Sequence, residues 1–274
     1  TVEGEQGKRM KLQYAISLWD FDHYTKVGKI EEVVQQVRKL GYGLELWRAW
    51  QHGDVDWYGE EGRKILKPLV RGMTLSMHGS LYGQDMNAFE VLKKQVDAAV
   101  DLGAGLIVIH PAHIAVKTEK GKPEVLDEKL AERFFEYASR NKVRLALENG
   151  PLEFLVNAIA KHPDLGVCID TGHIYLARRT MGEYLDLLKH RLIHLHLQDL
   201  MPKEQEGLFP VRGKDHYALG TGGIPASDWK LLADTLKEIN YDGMAVFEIR
   251  PHNAFHNAYN ARLFMDGLTG DRDV

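Results

Sequence analysis

Six residues able to bind a metal or move a proton close short apolar runs of this sequence: His78, His110, Glu148, Asp170, His196 and Glu248, with His173 shortly after Asp170. Taken singly, each reads as a hydrogen-bonded structural group. Taken together, they are carboxylates that repel one another and lose hydration unless each finds its own partner, whereas one divalent cation neutralises all of them. Glu148, Asp170, His196 and Glu248 from four consecutive runs make a set of oxygen and nitrogen ligands suited to Mn²⁺, Mg²⁺, Co²⁺ or Zn²⁺. Thirteen histidines stand beside a single cysteine, Cys168, so multi-cysteine zinc and iron–sulfur sites are excluded.

The runs that must deliver these residues number eight: Leu12–Trp19, Leu44–Trp47, Thr74–His78, Leu106–His110, Val143–Glu148, Gly166–Asp170, Leu192–Leu197 and Met244–Ile249. Between them lie stretches with apolar residues at three- and four-residue steps, such as Ile30–Leu40, Phe89–Leu102, Leu126–Asn141 and Trp229–Ile239. Lys39-Leu40-Gly41-Tyr42-Gly43-Leu44 and Asp101-Leu102-Gly103-Ala104-Gly105-Leu106 repeat one phrase, with glycine placed for a left-handed helix cap. Early strand ends at 47, 78 and 110 are ~30 residues apart, about one βα unit each. Eight strands alternating with helices predict an α/β fold, a single (β/α)₈ barrel, because a doubly wound sheet would leave two runs unplaced. The domain is expected to span 1–274, with residues 1–10 an N-terminal extension and 268–274 a C-terminal tail. In such a barrel the C-terminal strand ends share one mouth, and the longest irregular segment, Asp199 to Ile224, follows the seventh strand there.

Composition excludes several classes. With 274 residues, 44% hydrophobic and 27% charged, the chain fits an ordinary globular protein rather than a disordered or membrane-spanning one. A net charge of −4 provides no global field for nucleic acid or an anionic membrane, and neither partner is expected. One cysteine fits a reducing compartment, so a cytoplasmic location is expected. The chain opens Thr1-Val2-Glu3-Gly4 without methionine, which leaves open the expectation that an upstream segment was removed. A symmetric homo-oligomer is the default expectation.

The segments Met77-His78-Gly79, Val108-Ile109-His110-Pro111, Leu147-Glu148-Asn149, Cys168-Ile169-Asp170-Thr171-Gly172-His173, His194-Leu195-His196-Leu197-Gln198-Asp199, Leu219-Gly220-Thr221-Gly222-Gly223-Ile224 and Val246-Phe247-Glu248 occur in a telling order. In that order the chain resembles the xylose isomerase-like barrel superfamily, and within it the sugar phosphate isomerase/epimerase branch, which includes tagatose 3-epimerase-like and inosose dehydratase-like enzymes and is related to endonuclease IV. The resemblance implies one metal on Glu148, Asp170, His196 and Glu248, with Glu148 and Glu248 also moving a substrate proton. In the endonuclease-like branch it implies a further zinc on His78 and His110 with Glu148, and a third on His173 with an Asp-x-His pair. Here His216 matches that pair's histidine, but Lys214 stands at the aspartate position and Asp215 is one residue out of register.

The expected function is therefore metal-dependent isomerisation or epimerisation of a small sugar, sugar phosphate or polyol-derived ketone, by proton abstraction beside a chelated carbonyl. His78, His110, His173 and His216 are candidates for sugar hydroxyls or a second metal. Trp19, Trp47, Trp50 and Trp57 follow the first two strands, where indoles could wall a sugar or equally pack loops over the barrel. Arg212, Lys214 and Arg250 could hold a phosphate or carboxylate. One alternative is a zinc phosphodiesterase acting at abasic DNA sites, with Leu81-Tyr82 as an apolar wedge. Another is a non-catalytic sugar-binding barrel. Gly220-Thr221-Gly222-Gly223 lacks the context of a dinucleotide loop, and no phosphate loop or nucleophile elbow occurs.

Overall fold

A parallel strand buried on both faces alternates between residues packed outward against helices and residues packed inward, so a polar residue on its inward side must be met by other polar groups. The computed structural model describes residues 12–21, 27–48, 55–80, 87–116, 125–202, 214–249 and 254–270. Its barrel strands are β1 (Gln13–Ser17), β2 (Gly43–Leu46), β3 (Leu75–His78), β4 (Leu106–Ile109), β7 (Arg144–Glu148), β8 (Gly166–Asp170), β9 (Leu192–Leu197) and β10 (Met244–Phe247). They close in the order β1-β10-β9-β8-β7-β4-β3-β2. Every pairing is parallel, and the seam runs from Gln13↔Met244 to Ile16↔Phe247.

Outward residues such as Ile16, Leu44, Met77, Ile107, Leu147, Ile169, Leu195 and Phe247 join the main apolar core with helix residues such as Leu66, Val96, Phe134 and Leu232. The inward set forms separate small clusters, Leu106, Val108, Ala146 and Cys168 in one and Ala15, Met244 and Val246 in the other. Two residues further along the same faces come Glu148, Asp170 and Glu248, buried at the strand ends. An apolar plug thus fills the barrel below a polar layer.

The helices that separate these strands begin and end where the sequence offers caps. Helix α1 (Val27–Lys39) precedes Gly41, and α3 (Ala88–Leu102) precedes Gly103; both glycines take positive φ, +74° and +84°, as the repeated phrase predicts. Asn87 caps α3 by accepting from Phe89 N, and Asp127 caps α5 (Glu128–Arg140) by accepting from Leu130 N. That cap starts α5 two residues later than the expected Leu126, which instead pairs in a two-stranded ribbon, β5 (Ala115–Val116) with β6 (Val125–Leu126). The first strand likewise stops at Ser17, whose Oγ accepts from Trp19 N and turns Leu18–Asp20 into a 3₁₀ helix. The other helices are α2 (Glu60–Val70), α4 (Pro111–Ile114), α6 (Leu152–Lys161), α7 (Thr171–Leu176), α8 (Met181–Leu188), α9 (Ala226–Glu238) and α10 (Ala254–Thr269). Among the described residues no helix is long and apolar enough to cross a membrane.

The segment after β9 returns to the barrel through one buried carboxylate. Asp199 Oδ1 accepts from Leu200 N and Ile224 N at 2.7 and 2.8 Å, and Oδ2 accepts from Gly220 N and Thr221 N at 3.0 and 3.1 Å. Its backbone also pairs with Tyr217. Asp199→Ala removes the acceptor of four backbone donors, of which Ile224 N is buried, and is expected to cost roughly 1–3 kcal/mol of stability. Urea denaturation measures this, and an unchanged midpoint would show that the carboxylate does not hold the segment.

Candidate active site

Glu148, the last residue of β7, is the hub of the mouth. Its Oε2 lies 3.5 Å from His78 Nε2, 3.4 Å from His110 Nε2 and 3.4 Å from His196 Nδ1, while Oε1 meets His173 Nδ1 at 2.9 Å. The two nitrogens His78 Nε2 and His110 Nε2 are themselves 3.1 Å apart. His196 Nδ1 also approaches Glu248 Oε2 at 3.6 Å, so both glutamates face one imidazole nitrogen. Asp170 enters the ring beside Glu148 and His173, with Oδ2 3.5 Å from His173 Nδ1. The four expected ligands therefore share one ring, linked through Glu148, although Asp170 does not belong to the same tight group of atoms as His196 and Glu248.

The ring has the character of a cation site. Glu148 Oε2, His196 Nδ1 and Glu248 Oε1 are buried without a hydrogen-bond partner among the described residues. Orphaned buried atoms are costly, and these two carboxylate oxygens and one imidazole nitrogen are the donor types of a hard-to-borderline divalent ion. The sequence reading missed a residue beneath them. Glu45 of β2 is wholly buried, accepts from His194 Nε2 at 2.9 Å and Ser76 Oγ at 3.0 Å, and holds Oε1 3.0 Å from His196 Nε2. A carboxylate on the far nitrogen fixes which nitrogen of a histidine faces a metal. The signal was available: Glu45 is the one charged residue in Gly43-Leu44-Glu45-Leu46. His194, given no role from sequence, packs there as Glu45's donor.

Asp170 is held on several sides. Asn149 brackets its backbone, donating Nδ2–H to Asp170 O and accepting from Asp170 N, while Asp170 Oδ1 caps α7 by accepting from His173 N. His216 takes φ +62°, sets Nδ1 3.0 Å from Glu248 O and lies 4.1 Å from the Trp19 ring. Asp215, out of register in sequence, reaches both neighbours: its Oδ2 is 3.8 Å from His173 Nε2 and 3.6 Å from His216 Nε2. Trp47 stacks on His78 at 3.8 Å and 17°. Trp57 is fully buried in the main core, which fits the packing alternative for it rather than a wall of the mouth. Lys214 is exposed, and its carbonyl accepts from Met201 N. Arg212, Trp50, Arg250, Leu81 and Tyr82 lie outside the described residues.

Burial acts against charge throughout the ring, and neighbours decide the outcome. At Glu148, burial is outweighed by His110, His173 and His196, which hold the carboxyl well below its ordinary range. At Glu248, burial wins over His196, with Glu45 adding repulsion, and the carboxyl rises. Asp170 and Glu148 push His173 up to about 10 despite its burial. Burial pulls His113 down to about 3, and its Nδ1 accepts from His110 N at 2.7 Å. A histidine kept neutral in the folded state loses stability as pH falls below its unfolded value near 6.5, a loss complete only near 3. At pH 5 this amounts to ~2 kcal/mol. His113→Asn keeps an acceptor and does not titrate, so its stability relative to wild type should improve by ~2 kcal/mol between pH 7 and pH 5. Denaturant titrations at the two pH values measure this, and a constant difference would contradict it.

Comparison with known proteins gives the same fold. Fructoselysine 3-epimerase of Shigella flexneri is 26% identical over 251 residues, covering 80% of this chain and 85% of the relative. D-allulose 3-epimerase of Methylomonas sp. superposes with a TM-score of 0.69 at 15% identity, covering 94% and 98% of the two chains. A Thermus thermophilus protein from crystals soaked with ZnCl₂ gives 0.62 at 23% identity, covering 96% and 100%. The model of the xylose isomerase-like TIM barrel matches residues 34–267, and the chain belongs to that family.

Proposed function

We propose that this protein is a divalent-metal-dependent isomerase or epimerase of a small sugar, sugar phosphate or polyol-derived ketone. The observation that carries the proposal is the convergence of Glu148 and Glu248 on His196 Nδ1, at 3.4 and 3.6 Å, from strands that flank β8 and β9. Epimerase relatives and neighbours of the same fold support it.

Glu148, Asp170, His196 and Glu248 would hold the cation. Bound there, it would supply electrophilic stabilisation for the negative charge that develops when a C–H beside a carbonyl loses its proton. The two glutamates do the proton work: one takes the proton from one face of the carbon, and the other returns a proton to the opposite face or to the neighbouring carbon. Glu45 holds His196 from below. His173, between Glu148 and Asp215, and His216 offer polar contacts for substrate hydroxyls. Trp19 and Trp47 give the sugar's C–H face an aromatic wall and exclude water from the reacting carbon.

A second reading, a zinc phosphodiesterase at abasic DNA sites, is favoured by one specific arrangement. His78, His110 and Glu148 form one compact triad, and His173, Asp215 and His216 form another, in which Asp215 joins the two histidines although Lys214 holds the aspartate position of the Asp-x-His pair. Metal content of the protein as purified separates the readings: about one Mn, Mg or Co per chain supports the isomerase, and two or three zincs favour hydrolysis. A duplex bearing one abasic site adds a direct test. Nicking by the metal-loaded protein would overturn the isomerase proposal.

A further inference from the structure

The residue after β9, Gln198, is wholly buried and touches two separate parts of the mouth. Its Nε2–H donates to Asp170 Oδ2 at 2.7 Å, and its Oε1 accepts from His216 N at 2.6 Å. Neither contact tolerates a flipped amide, because a carboxylate only accepts and a backbone N–H only donates. Its backbone is pinned as well, with N and O both bonded to the Thr171 hydroxyl at 2.9 and 2.6 Å. Space for the side chain comes from Gly172, where a Cβ would stand 2.6 to 3.0 Å from Gln198 Oε1, Cδ and Cγ.

At the other end of the bridge, His216 sits at φ +62°, a conformation that a residue with a Cβ adopts only when surroundings hold it there. Three contacts do so: the bond from its N–H to Gln198, Nδ1 against Glu248 O, and the ring against Trp19. The same conformation directs Nε2 toward Asp215. One amide therefore connects a carboxylate of the ring to a strained histidine on another segment. No other common side chain makes both contacts at this length: glutamate would repel Asp170, and leucine would orphan both partners.

We propose that Gln198 is a positioning residue that couples metal occupancy at Asp170 to the placement of His216. The coupling is reciprocal: a cation that fixes the Asp170 carboxylate steadies Gln198 and through it the 214–217 backbone, and an ordered His216 in turn keeps Asp170 oriented for the ion. This rests on the metal reading above, and its test is arranged so that the two fail separately.

Mn²⁺ binding is measured by calorimetry, and backbone hydrogen exchange over residues 214–219 is followed with and without saturating Mn²⁺, for wild type, Gln198→Leu and Gly172→Ala. In wild type, Mn²⁺ should slow exchange over this segment by ~5-fold or more. Gln198→Leu should bind Mn²⁺ ~10–100-fold more weakly, exchange faster at His216 even without metal, and show no further slowing when saturated. Gly172→Ala, which crowds the same amide without removing it, should shift both readings in the same direction, and keeps the test available if Gln198→Leu does not fold. Wild-type affinity together with wild-type metal-dependent protection in the variants would overturn the role of Gln198 and leave the metal reading standing. No Mn²⁺ binding by the wild-type protein would overturn both.

Discussion

Glu248→Gln is expected to retain a bound divalent ion and to lose sugar proton transfer by a factor of at least ~10²–10⁴. Glutamine keeps an oxygen donor in the ring but cannot accept and return a proton at the substrate carbon. Glu148→Gln should be more severe, because Glu148 is also the hub that meets His78, His110, His173 and His196. Removing its charge leaves four imidazoles facing a neutral amide, so metal affinity and proton transfer fall together. Metal content and the rate of solvent exchange at the substrate carbon, measured on the same preparations, separate the two cases. Full activity in Glu248→Gln with metal retained would remove Glu248 from the proton path.

The second large effect is expected at a residue that touches no substrate. Glu45 hydrogen-bonds His194 and Ser76 through one oxygen and sets the other 3.0 Å from His196 Nε2, in a layer shielded from water. His196 would hold a cation as a neutral ring, and a proton kept on Nε2 would lie 3.0 Å from Glu45 Oε1 at its nitrogen. Loss of such an outer partner typically costs ~10–100-fold in metal affinity. Glu45→Ala should show that loss, and Glu45→Gln, which can accept from only one of the two histidines, should fall between it and wild type. Calorimetric titration with Mn²⁺ gives the affinities, and the metal-induced rise in Tm should shrink in the same order. Equal affinities across the three proteins would show that His196 is oriented without Glu45.

The barrel and its polar ring are legible because buried parallel strands make alternation informative: one acidic or imidazole residue ending an apolar run reads as structural, but a series of them ending successive runs must meet at one mouth. Glu45 escapes because the second apolar run continues to Trp47, two residues beyond it on the same inward face. Gln198 escapes because an amide is neither acidic nor basic, and its importance comes from a backbone N–H eighteen residues further on. Asp215 looks misplaced when positions are counted along the chain. The left-handed turn at His216 bends the backbone there, so sequence register no longer reports direction. The ribbon of β5 and β6 has two residues per strand, too few to display a period. Trp57 shares its place after a strand with Trp47, and only packing distinguishes an indole in the mouth from one sealed in the core.

Incubating the Mn²⁺-loaded protein with a panel of ketoses in D₂O and reading deuterium by NMR tests proton transfer at this ring most directly. Deuterium should appear at the carbon beside the carbonyl of at least one ketose, and Glu148→Gln should abolish it. No deuterium in any of them, with strand cleavage of a duplex containing an abasic site by the same preparation, would contradict an isomerase and point to phosphodiester hydrolysis instead.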